Sequence, residues 1–165
     1  MKSDDFKMPV FGVGPIYVLT CLLLTIIGLV LNFKGFLSLG ECEKGKIFFI
    51  ATGIFLIAFG LYLWIKAVLI EKINVKVKEN QLITSGVYRI VRNPVYTAFI
   101  SLFNGILLLA RNYILLILPL VFWAFLTILM KNTEEKWLKD SFGEEYEKYC
   151  REVNRVIPWI RRKNS

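Results

Sequence analysis

Apolar residues in this chain fall into long runs separated by short charged segments. The run over residues 16–31 carries no charge and follows Pro15. Proline is tolerated at the first helical position because its missing N–H would have no intrahelical partner there, so the run predicts a membrane span. Asp4 and Asp5 precede it and no small-residue cleavage pattern follows, so it reads as a span and not as a cleaved signal peptide. Residues 47–65 form a second uncharged run, with Tyr62 and Trp64 near one end, where interfacial aromatics sit. A third run, 97–110, is short, but a helix started by Pro94 extends it to residues 94–110, about 25 Å against a hydrocarbon core of ~30 Å. The fourth covers 113–130. Only Arg111 and Asn112 separate the last two runs, which predicts a tight hairpin whose outer ends, near Arg92 and Glu134, return to one face.

Two polar segments remain. In the first, Ile73, Val75 and Val77 alternate with polar residues, Asn80-Gln81 signals a turn, and Leu82-Ile83 resumes, the pattern of a short extended hairpin before the third span. In the second, Leu138, Phe142, Tyr146, Tyr149, Val153 and Val156 recur at intervals of three and four, which predicts an amphipathic helix over residues 132–158 of the cytoplasmic tail (131–165), broken at Gly143. The expected fold is therefore an all-α integral membrane protein of four transmembrane helices with a cytoplasmic amphipathic C-terminal helix, organised as one domain over residues 1–165. Gly53, Gly60 and Gly105 suggest close helix packing, Asn104 an interhelical hydrogen bond, and Pro119 a kink.

Composition supports lipid as the solvent: 56% of residues are hydrophobic, above the usual 45–50% or so of a soluble domain. Seventeen of the 21 lysines and arginines fall on one side of the expected bundle, so the positive-inside rule places both termini and the loop before the third span in the cytoplasm. Orientation and anionic lipid account for the charge of +8 without a nucleic-acid partner. The chain has no histidine, which removes imidazole as base, triad member or metal ligand. Cys21, Cys42 and Cys150 are too scattered for a disulfide framework or a metal cage, so no metal is expected.

Candidate chemistry gathers beside the last two spans. Tyr88, Arg89, Arg92, Asn93 and Tyr96 surround Pro94, combining donors with the positive end of a helix dipole in a place suited to an anionic group. The same arginines suit lipid phosphate, and the same tyrosines suit interface anchoring. Glu134 and Glu135 run against the local charge bias and require partners: ribose hydroxyls, an ammonium group, or nearby arginine and lysine. Gly12-Val13-Gly14 precedes proline and not a strand and helix, so it does not read as a nucleotide loop.

Taken in order, Leu82, Thr84, Gly86, Tyr88, Arg92, Pro94 and Tyr96, then Glu134-Glu135, then Phe142-Gly143-Glu144-Glu145-Tyr146 with Tyr149, Arg155 and Ile157-Pro158, resemble the isoprenylcysteine carboxyl methyltransferase family and the related integral-membrane phospholipid methyltransferases. The resemblance covers roughly the second half of the chain. It implies S-adenosylmethionine bound between the Arg92–Tyr96 block and Glu134-Glu135, with Tyr88, Arg92, Asn93, Tyr96, Glu134 and Glu135 toward the cofactor, and Arg151 and Arg155 orienting an anionic acceptor group. The acceptor is expected to be a small lipophilic molecule or lipid, with carboxyl O-methylation favoured over phospholipid N-methylation. The family's usual histidine is Asn93 here, which hydrogen-bonds as a neutral imidazole does but transfers no proton near neutral pH. Two readings stand beside this one: an NADPH-dependent enzyme of the sterol-reductase type, whose C-terminal regions share a related R-x-P-x-Y block, and a non-enzymatic lipid-binding protein.

Overall fold

The computed structural model describes residues 12–73 and 81–158, and the described residues are helical with no strand. α1 spans Gly14–Phe33, α2 Lys46–Trp64, α3 Pro94–Leu109, α4 Ile117–Asn132 and α5 Glu134–Glu152. Pro15 and Pro94 stand in the first turns of α1 and α3, where a missing N–H costs nothing. Three helical stretches, Gly14–Phe33, Lys46–Ile70 and Ile114–Asn132, are long and apolar enough to cross a bilayer, whereas the apolar helix Pro94–Leu109 is shorter. Leu19 and Phe55 are each 65% exposed and Leu120 68%, so the outward faces of these helices need lipid as their cover.

α3 is the centre of the packing. α2 lies along it, α1 and α4 pack on its other side, and α1 and α2 make little contact with each other. The contact with α2 is close because small residues face backbone: a Cβ on Gly60 would sit 2.7 Å from Ala98 O, and one on Gly105 2.7 Å from Gly53 O. On the other side, Tyr17, Cys21, Phe103, Phe122, Leu126 and Met130 form a buried core. At the bundle end away from Glu134, Asn112 is fully buried; it donates to Asn32 Oδ1 and Leu37 O, each at 2.7 Å, and accepts from Ile114 N–H at 2.8 Å. Tyr113 N–H donates to Gly40 O at 2.8 Å and Cys42 N–H to Arg111 O at 2.9 Å, so the two loops at that end hold each other.

Several expectations change. Asn104 makes no interhelical bond through its carbonyl: Oδ1 is buried without a hydrogen-bond partner among the described residues. Pro119 falls not mid-helix but in the first turn of α4, after a short 3₁₀ turn, Ile114–Leu116, where no intrahelical N–H bond is lost. Most of the expected extended hairpin, residues 74–80, lies outside the described residues, and residues 81–84 beside it have no strand pairing. The amphipathic tail helix forms with its break at Gly143 (φ 52°), but it ends at Glu152; Val153 is extended, and residues 154 and 155 pair instead with the backbone before α3.

Gly60→Val should lower thermal stability by about 1–3 kcal/mol through overpacking against Ala98 and Leu102. Phe55→Leu on the lipid-facing side should leave it nearly unchanged. Melting curves in one detergent compare the two.

Candidate functional site

A cavity of about 470 Å³ lies where the start of α1, the end of α2, the start of α3 and α5 meet. One part of its wall is apolar and formed by Pro15, Val18, Trp64, Val68 and Phe99; the other carries Tyr88, Arg92, Asn93, Tyr96 and Glu134, with Trp137, Tyr146 and Tyr149 from α5. Five of the residues singled out from the sequence thus meet in one wall. Glu135, Arg151 and Arg155 are not part of it.

Glu134 and Glu135 open α5, where the helix dipole favours negative charge, and they face different neighbours. Glu134 Oε1 accepts hydrogen bonds from Tyr96 Oη at 2.5 Å and from Val13 N–H at 2.9 Å. Gly12 makes this possible: its φ is +49°, and a Cβ there would stand 1.9 Å from Glu134 Oε1. Among the described residues Glu134 has no ion-pair partner. Burial holds its carboxyl above the usual carboxylate range, and the bonds from Tyr96 and Val13 offset part of that.

Glu135 makes a double ion pair. Its carboxylate takes Arg155 Nε at 2.6 Å and Nη2 at 2.8 Å, and Arg92 Nη2 at 3.3 Å. Arg92 also donates to Tyr146 Oη at 3.3 Å and to Cys150 Sγ, and its guanidinium lies 5.9 Å from the Tyr146 ring centre. Arg155, expected to orient an acceptor, is therefore bound bidentately to Glu135. Arg151 is exposed in the last turn of α5. The tail after α5 is stitched to the start of α3: Arg92 N–H donates to Asn154 O at 2.8 Å, Asn93 N–H to Arg155 O at 3.1 Å, Asn93 Nδ2 to the same carbonyl at 3.3 Å, and Thr97 Oγ1 to Val156 O at 2.9 Å. Asn93 thus serves as a tail clasp beside the cavity.

Tyr149 Oη donates to Tyr88 O at 2.5 Å. Burial pushes the phenols of Tyr88, Tyr146 and Tyr149 well above their ordinary values, so near neutral pH they remain hydroxyl donors and do not act as bases. The sequence reading missed the contribution of the first helix. Gly12-Val13-Gly14 is set aside by its sequence context, yet Gly12 and Gly14 line the cavity and Val13 anchors Glu134. A glycine pair just before a proline-started helix was the available signal; its partner, 121 positions away, was not.

Glu135→Ala should destabilise the fold by about 2–3 kcal/mol, less than the ~3–5 of a fully buried pair, because Arg92 and Glu135 side chains keep 10% and 16% exposure. Unfolding of the variant beside Arg151→Ala, which leaves that ion pair intact, checks this. For Glu134, the raised pKa means that the folded chain binds a proton more readily than the unfolded one. Its contribution to stability is then fully present below the ordinary carboxylate pKa and is lost as pH rises through the raised value. Melting temperatures of wild type and Glu134→Gln across that window should show a fall in the wild type that the variant lacks.

Comparison with known proteins bears on this arrangement. A family profile described as phospholipid methyltransferase matches residues 16–145. The protein-S-isoprenylcysteine O-methyltransferase of Schizosaccharomyces pombe is 37% identical over 84 residues, 50% of this chain and 35% of that protein. A probable protein-S-isoprenylcysteine O-methyltransferase of Oryza sativa subsp. indica is 35% identical over 83 residues, 50% of this chain and 43% of that protein. Methanethiol S-methyltransferase 1 of Bradyrhizobium diazoefficiens is 33% identical over 78 residues, 47% of this chain and 26% of that protein. The matches thus span less than half the length of these curated relatives. No solved structure matches the chain. With the profile running from the first helix into the last, the chain belongs to the phospholipid methyltransferase family.

Proposed function

We propose that this chain is an integral-membrane, S-adenosylmethionine-dependent methyltransferase that methylates the carboxylate of a small lipophilic acceptor of the isoprenylcysteine type. The observation that carries this reading is the cavity itself, which joins a carboxylate without an ion-pair partner among the described residues, Glu134, to apolar walls at the ends of the membrane helices. Its volume of about 470 Å³ falls within the roughly 300–1,000 Å³ of small-molecule sites. S-adenosylmethionine, when bound, supplies an electrophilic methyl group on a positively charged sulfonium. The residues present suit such a molecule: Glu134 offers a carboxylate, and Tyr88, Tyr96, Trp137 and Tyr146 line the same cavity with aromatic rings, a residue type that attracts cations.

The chain's own part in the reaction is to orient and to exclude water. Tyr96 and Val13 fix Glu134, Glu135 fixes Arg92, and the tail closes the start of α3. A carboxylate acceptor is already an anion and needs alignment more than deprotonation, which accords with a site whose phenols stay protonated and whose family histidine is Asn93. Pro15, Val18 and Phe99 present an apolar surface for the acceptor's hydrocarbon part. The same reading has α3 as a fourth, short span and both termini in the cytoplasm, where a charged methyl donor is available. The charge bias of the loops supports that orientation.

Calorimetric titration of the protein in nanodiscs with S-adenosylhomocysteine should give saturable binding, weakened about tenfold or more in Glu134→Ala. Binding of NADPH instead would assign the site to a reductase, and binding of neither would overturn the enzymatic reading.

A further inference from the structure

α2 does not end cleanly at Trp64. It widens into a π-helical stretch, Ile65–Ile70, closed by a bond of 2.9 Å from Glu71 N–H to Lys66 O, five residues back instead of four. One extra residue in the spiral turns the following chain by about 100°. Trp64 and Val68 stay in the cavity wall, and Ala67 is buried with Leu63, Ile83, Val87 and Ala98. Glu71 then reaches the short Gly86–Arg89 turn, where its Oε1 accepts from Val87 N–H at 2.8 Å.

That turn is built around the carboxylate. Gly86 has φ +59°, and a Cβ there would stand 1.8 Å from Glu71 Oε1 and 2.4 Å from its Cδ. Glycine is thus required both by the backbone angle and by the acid seated against it. The other oxygen, Glu71 Oε2, is buried without a hydrogen-bond partner among the described residues. Such an acceptor costs free energy, so side-chain packing by itself does not account for an acid at this position, whereas its bond to the turn does. Two residues past Gly86, Tyr88 enters the cavity wall, and its carbonyl is held from the far side by Tyr149 Oη.

We propose that Glu71 is a positioning residue of the site: by holding Val87 N–H it sets Tyr88 in the cavity wall, so ligand affinity depends on the register in which α2 ends. The identity of the ligand rests on the methyltransferase reading; the hold on the turn does not. Amide hydrogen exchange of the segment containing Val87, measured without ligand in nanodiscs, and S-adenosylhomocysteine affinity test both parts in wild type, Glu71→Gln, Glu71→Leu and Gly86→Ala. Glutamine keeps a carbonyl acceptor for Val87, leucine removes it, and alanine at 86 pushes the acid away without altering it. Expected are faster exchange and affinity weakened about tenfold in Glu71→Leu and Gly86→Ala, with both restored in Glu71→Gln. Faster exchange with unchanged affinity would overturn the proposal by leaving Glu71 a purely structural role. Unchanged exchange in both Glu71→Leu and Gly86→Ala would overturn it whether or not ligand binds. Normal exchange differences with no binding in the wild type would instead overturn the methyltransferase reading and, with it, any effect on affinity.

Discussion

Two consecutive carboxylates at the head of α5 tie together pieces of chain that are distant in sequence. Neighbours on a helix point about 100° apart, so Glu134 and Glu135 face different partners. Glu134 binds the start of α1 and Tyr96 on α3, while Glu135 binds Arg92 before α3 and Arg155 in the tail. The dipole of α5 favours both charges, but only Glu135 is neutralised by cations among the described residues. Glu134 keeps its charge, or its proton, for the cavity. This division separates the residue whose ion pairs stiffen the wall, Glu135, from the one that lines the cavity, Glu134.

The bilayer accounts for much of the rest. Lipid offers no hydrogen bonds, so a polar group inside the bundle is stabilised by a protein partner, which Asn104 Oδ1 lacks among the described residues. Thr25 returns its hydroxyl to Cys21 O at 2.8 Å, and Asn112 is bonded to three groups at the far end. With α2 pressed on one side of α3 and α1 on the other, the helices leave space between α1 and the end of α2, and the cavity occupies it. Its lining combines hydrogen-bond donors with apolar side chains, which on the proposed reading would serve a reaction between a polar methyl donor and a membrane-borne acceptor.

The chemistry available is correspondingly limited. Buried phenols that stay protonated, an arginine, Arg92, locked in an ion pair and an asparagine occupied by a tail carbonyl are groups that position and do not transfer protons. Such a wall suits an acceptor that arrives already nucleophilic. Rigidity is supplied by short links across long sequence separations, such as Arg92 to Asn154 and Tyr149 to Tyr88.

Whatever depends on local pattern was legible in the sequence. The uncharged runs became the long helices, Pro15 and Pro94 marked helix starts, the three-and-four spacing of Leu138, Phe142, Tyr146 and Tyr149 gave α5 its buried face, and the motif order pointed to the family. Periodicity and capping act within a few residues, so a sequence displays them. The partners did not show. That Glu135 and not the cavity takes Arg155, that Val13 anchors Glu134, that Asn104 Oδ1 finds no hydrogen-bond partner among the described residues and that Gly86 makes room for Glu71 are results of packing between helices far apart along the chain. Only the tertiary structure decides them, because which charge meets which depends on the rotation and register of each helix against the others, set by the summed fit of many small contacts and not by any one residue.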